Sequence, residues 1–199
     1  MSGLRLYYEI IVKDKNGKTI KKFRRKSKSF VKNFAIMIRN LFVIPLNTYD
    51  SNSMVLDTAG INRGYPYASS LSNKAMAVDA GTGNDTYGIV VGTGTTSPTV
   101  DDVNLVSKIA NGTATGQLSY GSTTVEYVTT TATQSQFRII RTFTNNSGAN
   151  ITVNEIGIIV RWTDIGGTRY GLIIRDVITS TTIPAGSTLT VRYIFTFPV

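Results

Sequence analysis

The sequence predicts an all-β chain, an antiparallel β-sandwich of jelly-roll-like form, and three observations predict it. Four β-branched and aromatic runs fill the last third, at 137–143, 151–162, 170–178 and 187–197. Turn formers separate them: Asn145 to Gly148, Asp164 to Gly167 and Pro184 to Gly186, where asparagine and glycine tolerate the positive φ of a tight reversal. The closing run alternates, with Leu189, Val191, Tyr193, Phe195 and Phe197 on one face and Thr188, Thr190, Arg192 and Thr196 on the other, the period of a half-buried strand. The 199 residues suffice for one sizeable core. They divide into a basic hairpin plus helix over 1–45, an attachment or assembly region, and a sandwich domain over 46–199 with long loops at 46–85.

In order, 4–13 alternates as a strand, with Leu4, Leu6, Tyr8, Ile10 and Val12 on one side and Arg5, Tyr7, Glu9, Ile11 and Lys13 on the other. An Asn16-Gly17 turn then leads into a basic partner strand over 18–28, completing a hairpin. Phe30, Phe34, Met37, Ile38, Leu41 and Phe42 recur at helical spacing, with Ser29 as cap and Pro45 as stop, which predicts one amphipathic helix over 30–42. Its apolar face either seals one end of the sandwich or docks on a neighbouring subunit; few of its positions are basic, which argues against a membrane surface. The stretch 46–85 is irregular, and a loop region of that length is usually functional or ordered by a partner. Strands are expected at 86–92, at 117–120 and at 122–131 around Gly121, with one helical turn within 99–105.

Several chemistries are absent or weakly supported. The chain has no histidine and no cysteine, which removes the usual general base, the usual zinc ligand, nucleophile pairs and disulfides. The glycines of 81–83 and 92–94 lack the continuation of a phosphate loop and read as strand ends, and 79–85 lacks the full spacing of a calcium loop. Glu155 is expected to form at most an exposed, register-setting pair with Arg138, Arg161 or Arg175. No enzyme, cofactor, metal or small-molecule substrate is indicated. No apolar run reaches the ~20 residues of a membrane span and no signal peptide is visible, so the chain is expected to be made in a cytoplasm and to leave, if at all, by assembly or lysis.

The formal net charge is +9, and it is concentrated: Lys13, Lys15, Lys18, Lys21, Lys22, Arg24, Arg25, Lys26, Lys28 and Lys32 are opposed by Asp14 alone. Three readings stand: contact with nucleic acid phosphates, a solvated edge strand blunted by lysines, or contact with an acidic neighbouring subunit. Tyr49, Tyr65, Tyr67 and Trp162 supply a further reading, stacking surfaces for a glycan.

The string YGIVVGTGTTSPTVDDVNL at 87–105, GQLSY at 116–120, RTFTNNSGANITVNEIG at 141–157, LIIRDVI at 172–178 and IPAGSTLTVRY at 183–193 occur in that order. Together they resemble small structural proteins of tailed bacteriophages and archaeal viruses, a diverse group of fibre, decoration and minor virion proteins. The resemblance spans roughly 86–199 and extends to 26–34 of the opening hairpin. It implies a virion component that associates with copies of itself and with other virion proteins, with no catalytic residues to carry over.

Overall fold

The structure is a computed structural model that describes residues 3–42, 54–64, 76–164 and 166–198. Its strands are β1 (Arg5–Lys13), β2 (Thr19–Lys26), β3 (Val55–Leu56), β4 (Asn62–Arg63), β5 (Gly88–Gly92), β6 (Ser119–Val125), β7 (Thr129–Thr130), β8 (Gln134–Thr144), β9 (Ile151–Asp164), β10 (Gly167–Ile183) and β11 (Thr188–Pro198), with one helix, α1 (Lys32–Phe42). Two antiparallel sheets dominate. The large one runs β2-β1-β11-β8-β6, with β7 on β8; the small one runs β10-β9-β5. The fold is therefore all-β.

Alternation builds the interior. On β1, Leu6, Tyr8, Ile10 and Val12 are buried; on β11, Leu189, Val191, Tyr193 and Phe195 are buried with them. Ile89, Val90 and Val91 of β5 and Ile156, Ile158 and Ile174 of the small sheet join the same apolar cluster, so one core serves both sheets. At roughly 25 cal/mol per Å² of apolar surface removed from water, burial of this cluster is the main favourable contribution to folding. Leu6, Val31 and Met37, all before residue 45, belong to the same cluster.

Successive strands need not be neighbours. β8 pairs with β11, whereas β9 and β10, which lie between them in the chain, pair with each other in the other sheet. Asn145 ties the two crossings together. Its backbone N–H donates to the Ser187 carbonyl at 2.9 Å, its own carbonyl accepts from Gly186 N–H at 2.8 Å, and its Nδ2 donates to Ala149 and Ile183 at 2.8 and 2.7 Å.

Three local expectations are corrected. The predicted strands on either side of Gly121 are one strand, β6, with a register shift between Tyr120 and Thr123. A Cβ at Gly121 would sit 2.8 Å from the Thr142 carbonyl, so this glycine admits the close approach of β8 and does not turn the chain. The helix starts at Lys32, not at 30, because Phe30 bridges to Ile174 and Val31 N–H donates to the Ile173 carbonyl, extending the edge of β10. Part of the irregular stretch is ordered: β3 and β4 pair around Asp57, whose Oδ1 accepts from Ala59 and Ile61 N–H at 2.9 Å each.

Candidate functional site

β2 is the free edge of the large sheet, and its alternation splits the basic run. Lys22, Arg24 and Lys26 pair with Ile11, Glu9 and Tyr7 and point away from the core, whereas Lys21 and Arg25 pair with Val12 and Tyr8 and point the other way. Lys21 and Arg25 lie 5.4 and 5.8 Å from the ring centroid of Phe23, and Lys21 donates to the Ser180 carbonyl. Lys13, Lys15 and Lys18 are exposed at the β1–β2 turn; Lys28 and Lys32 are exposed beyond β2. The ten cations therefore do not form one cluster.

The register assembles a surface that no single run of sequence displays. Read across the open face of the large sheet, one row is Lys26, Tyr7, Ile194, Arg138; the next is Arg24, Glu9, Arg192, Ile140; the next is Lys22, Ile11, Thr190, Thr142. Thr142 and Thr190 hydroxyls meet at 3.0 Å, as neighbours on one face must. Glu9 accepts from Arg192 at 2.6 Å and pairs with Lys22 at 3.3 Å; burial pulls its pKa upward, and these two cations outweigh that and hold it below the ordinary value. Arg138 pairs with Glu126 at 2.5 Å. Arg24 stacks on Tyr7, guanidinium carbon 4.3 Å from the ring centroid.

The helix residues pack in part on the chain's own core. Met37 is fully buried, and Phe30 and Phe34, stacked at 4.1 Å, pack on the chain's own core. Met37 is thereby committed to the chain's own interior, while Phe30 and Phe34 remain half-buried beside β10. Ile38 is half-buried, and the side chains of Leu41 and Phe42 lie outside the described residues. Asn33 locks the helix in place, donating to Leu56 and Leu172 carbonyls and accepting from Leu56 N–H.

Two glycine loops are filled by the chain's own charges. Glu155 is fully buried, not exposed as expected, and its carboxylate accepts N–H groups from Gly94 at 3.0 Å, Ser107 at 2.7 Å and Val106 at 3.1 Å. A Cβ at Gly92 or Gly94 would lie 2.5 Å from its Oε1, so these glycines make room for an internal anion. Arg175 pairs with Glu155 at 2.9 Å and with Asp102 at 2.9 Å. Burial pulls the Arg175 pKa down, and the two carboxylates more than restore it. Asp102 bonds back to Thr99 in a turn where one helical turn was expected.

The second loop holds a cation. Arg141, fully buried, donates to the carbonyls of Gly121, Tyr87, Ile89, Gly81 and Asn84 and lies 4.7 Å from the centroid of the Tyr120 ring. Carbonyls at 81 and 84, the type a calcium ion would take, are thus turned onto a guanidinium. Burial without a hydrogen-bonded carboxylate pulls the Arg141 pKa down to about 10. Sequence reasoning missed Arg141, yet a signal was present: it occupies the inward position between Ile139 and Phe143, where a charge must find internal partners.

Asp176 was also missed. It is buried, accepting from Ser27 Oγ at 2.8 Å and Tyr193 OH at 3.1 Å, and burial raises its pKa despite those donors. The glycan reading loses Trp162, which is 1% exposed with its Nε1 donating to the Gly64 carbonyl; Tyr49, Tyr65 and Tyr67 lie outside the described residues. Among the described residues no group of acidic side chains is arranged to hold a metal ion, and no helix is long and apolar enough to cross a membrane. No family model, curated protein or solved structure matches this chain.

Proposed function

We propose that this chain is a virion structural protein, a capsid, decoration or tail component that self-associates and docks on neighbouring subunits. The observation that carries the reading is an apolar cluster at one end of the large sheet. Phe197 pairs in register with Ser135 and stacks on Phe137 with centroids 6.2 Å apart, and Arg5 opposite Thr196 brings Leu4 beside it. Leu4, Val125, Phe197, Val128 and Tyr127 are 42, 46, 44, 64 and 95% exposed. Apolar side chains grouped this way mark interaction surfaces, whereas scattered ones do not. The exposed lysines of the β1–β2 turn lie at the opposite end of β1, about 30 Å away for nine residues at ~3.4 Å each. Copies therefore meet at the apolar end, away from the lysines of the hairpin turn.

A jelly-roll-like sandwich suits that role. Its support is nested pairing: β1 with β11, the segment after β2 with β10 through Phe30 and Ile174, β5 with β9, and β6 with β8, each pair inside the one before. The likeness of 86–199 to phage and archaeal virus structural proteins supports the same class.

Sedimentation of the full chain tests the self-association. A concentration-dependent oligomer that Y127D with F197S converts to monomer supports it; a monomer at every concentration overturns it. Mass spectrometry of purified particles tests the location, and absence of the chain from them would end the virion reading.

A further inference from the structure

The open face of the large sheet carries seven cations from four strands, Arg5, Lys13, Lys22, Arg24, Lys26, Arg138 and Arg192, against two acids, Glu9 and Glu126. Both acids are engaged: Glu9 by Lys22 and Arg192, Glu126 by Arg138. Arg5, Arg24 and Lys26 are exposed and, among the described residues, have no carboxylate within ion-pair distance. We infer that this face binds the phosphate backbone of a nucleic acid. The inference stands independently of the virion reading, since it concerns a different surface from the apolar end.

Three features favour phosphates over an acidic protein. The face carries Lys, Arg, Thr and Gln; of its apolar residues, Ile11 and Ile194 are buried, Tyr7 and Ile140 are half-buried, and Ile20 at the start of β2 is exposed. Protein interfaces bury an apolar or aromatic core and are depleted in lysine, whereas phosphate contacts come from Arg and Lys with hydroxyl and amide donors beside them. Thr142, Thr190 and Gln136 are half-buried on the same face and supply such donors.

The arginines are poised as well. Arg24 lies over the Tyr7 ring, so its guanidinium has a resting place before a ligand arrives, with its fork of donors free for a bidentate oxyanion. Arg192 spends Nη1 on Glu9 and leaves Nε buried with no acceptor, a donor that costs stability until an oxyanion draws the guanidinium round. The sheet offers a platform about 30 Å long along β1, long enough for several successive phosphates.

The test is fluorescence anisotropy of the full chain with single-stranded and duplex oligonucleotides across a salt series. Three to five phosphate contacts predict a slope of log K against log salt of about −2 to −4. Binding of either form with that slope supports the inference, and the tighter form names the ligand. Replacing Arg5, Arg24 and Lys26 by glutamine, three exposed positions, lowers affinity at least about tenfold and flattens the slope by ~2 to 3. Replacing Lys15 and Lys18 by glutamine at the turn leaves affinity within about twofold, because those side chains lie beyond the paired rows of the face. No binding at low salt, equal loss from both variants, or equally tight binding of polyglutamate overturns it.

Discussion

Glu155 and Arg175 form an ion pair at 2.9 Å, both side chains fully withdrawn from solvent, between adjacent strands of the small sheet. Each also holds a loop: Glu155 takes three backbone N–H groups from 94–107, and Arg175 takes Asp102 and the Thr96 carbonyl. The pair therefore anchors residues 94–107 of the connection between β5 and β6.

Removing one partner should be costly. Glu155→Ala leaves a buried guanidinium short of its anion and three N–H groups without acceptors, so urea unfolding should show a loss of about 3–5 kcal/mol. A loss below about 1 kcal/mol would mean that water or Asp102 replaces it.

Arg141 has no carboxylate to lose, only carbonyls to strand. Arg141→Met should cost about 2–4 kcal/mol in chemical denaturation, with Arg141→Lys between the two because an ammonium has three donors in place of five. Amide exchange at 81–89 should accelerate in the methionine variant, since those carbonyls bind the guanidinium. Unchanged exchange there would show the loop holds itself.

The pH dependence has a sign set by Asp176. Burial lifts its folded pKa above the ~3.9 of an unfolded chain, so its contribution is complete below that pH and is lost as pH rises through the folded value. Asp176→Asn removes that loss. The melting temperature of the variant minus that of the wild type should increase from about pH 3.5 to pH 7; a flat or falling difference refutes the assignment. Glu9, Asp57 and Asp102, whose pKa values are held below the ordinary range, act oppositely and lose stability as pH falls through their folded values.

Gly88 and Gly148 separate conformational strain from crowding. Both have positive φ, +83° and +76°, but a Cβ at Gly148 meets open space while one at Gly88 would overlap Thr123 Oγ1 and stand 2.9 Å from the Val78 carbonyl. Gly148→Ala should cost ~1 kcal/mol and Gly88→Ala a further ~1–3 kcal/mol, read from thermal unfolding. Equal costs would show that the 78–80 segment yields freely.

Much of the fold was legible because a pleated strand has a side-chain period of two. Alternation over 4–13 and 188–197 separated the inward Leu6, Tyr8 and Val191 from the outward Tyr7, Glu9 and Arg192, and the structure keeps every one of those faces. The same rule could have exposed Arg141 and Glu155, charges at inward positions of apolar strands. It could not locate their partners. Asp176 was harder still, since the register shifts of β10 break the alternation that would have marked it as inward.

The sequence alone determined the class, the turns, the sides of the outer strands and the lack of histidine and cysteine chemistry, all properties of short windows or of composition. Tertiary structure decided the rest: that β8 joins β11 across forty residues, that the basic run divides between two faces, and that Lys26, Tyr7, Ile194 and Arg138 form one row. The physical reason is range. Inside and outside are written locally by the pleat, whereas which strand lies beside which is settled by the packing of one shared core, to which residues from both ends of the chain contribute together.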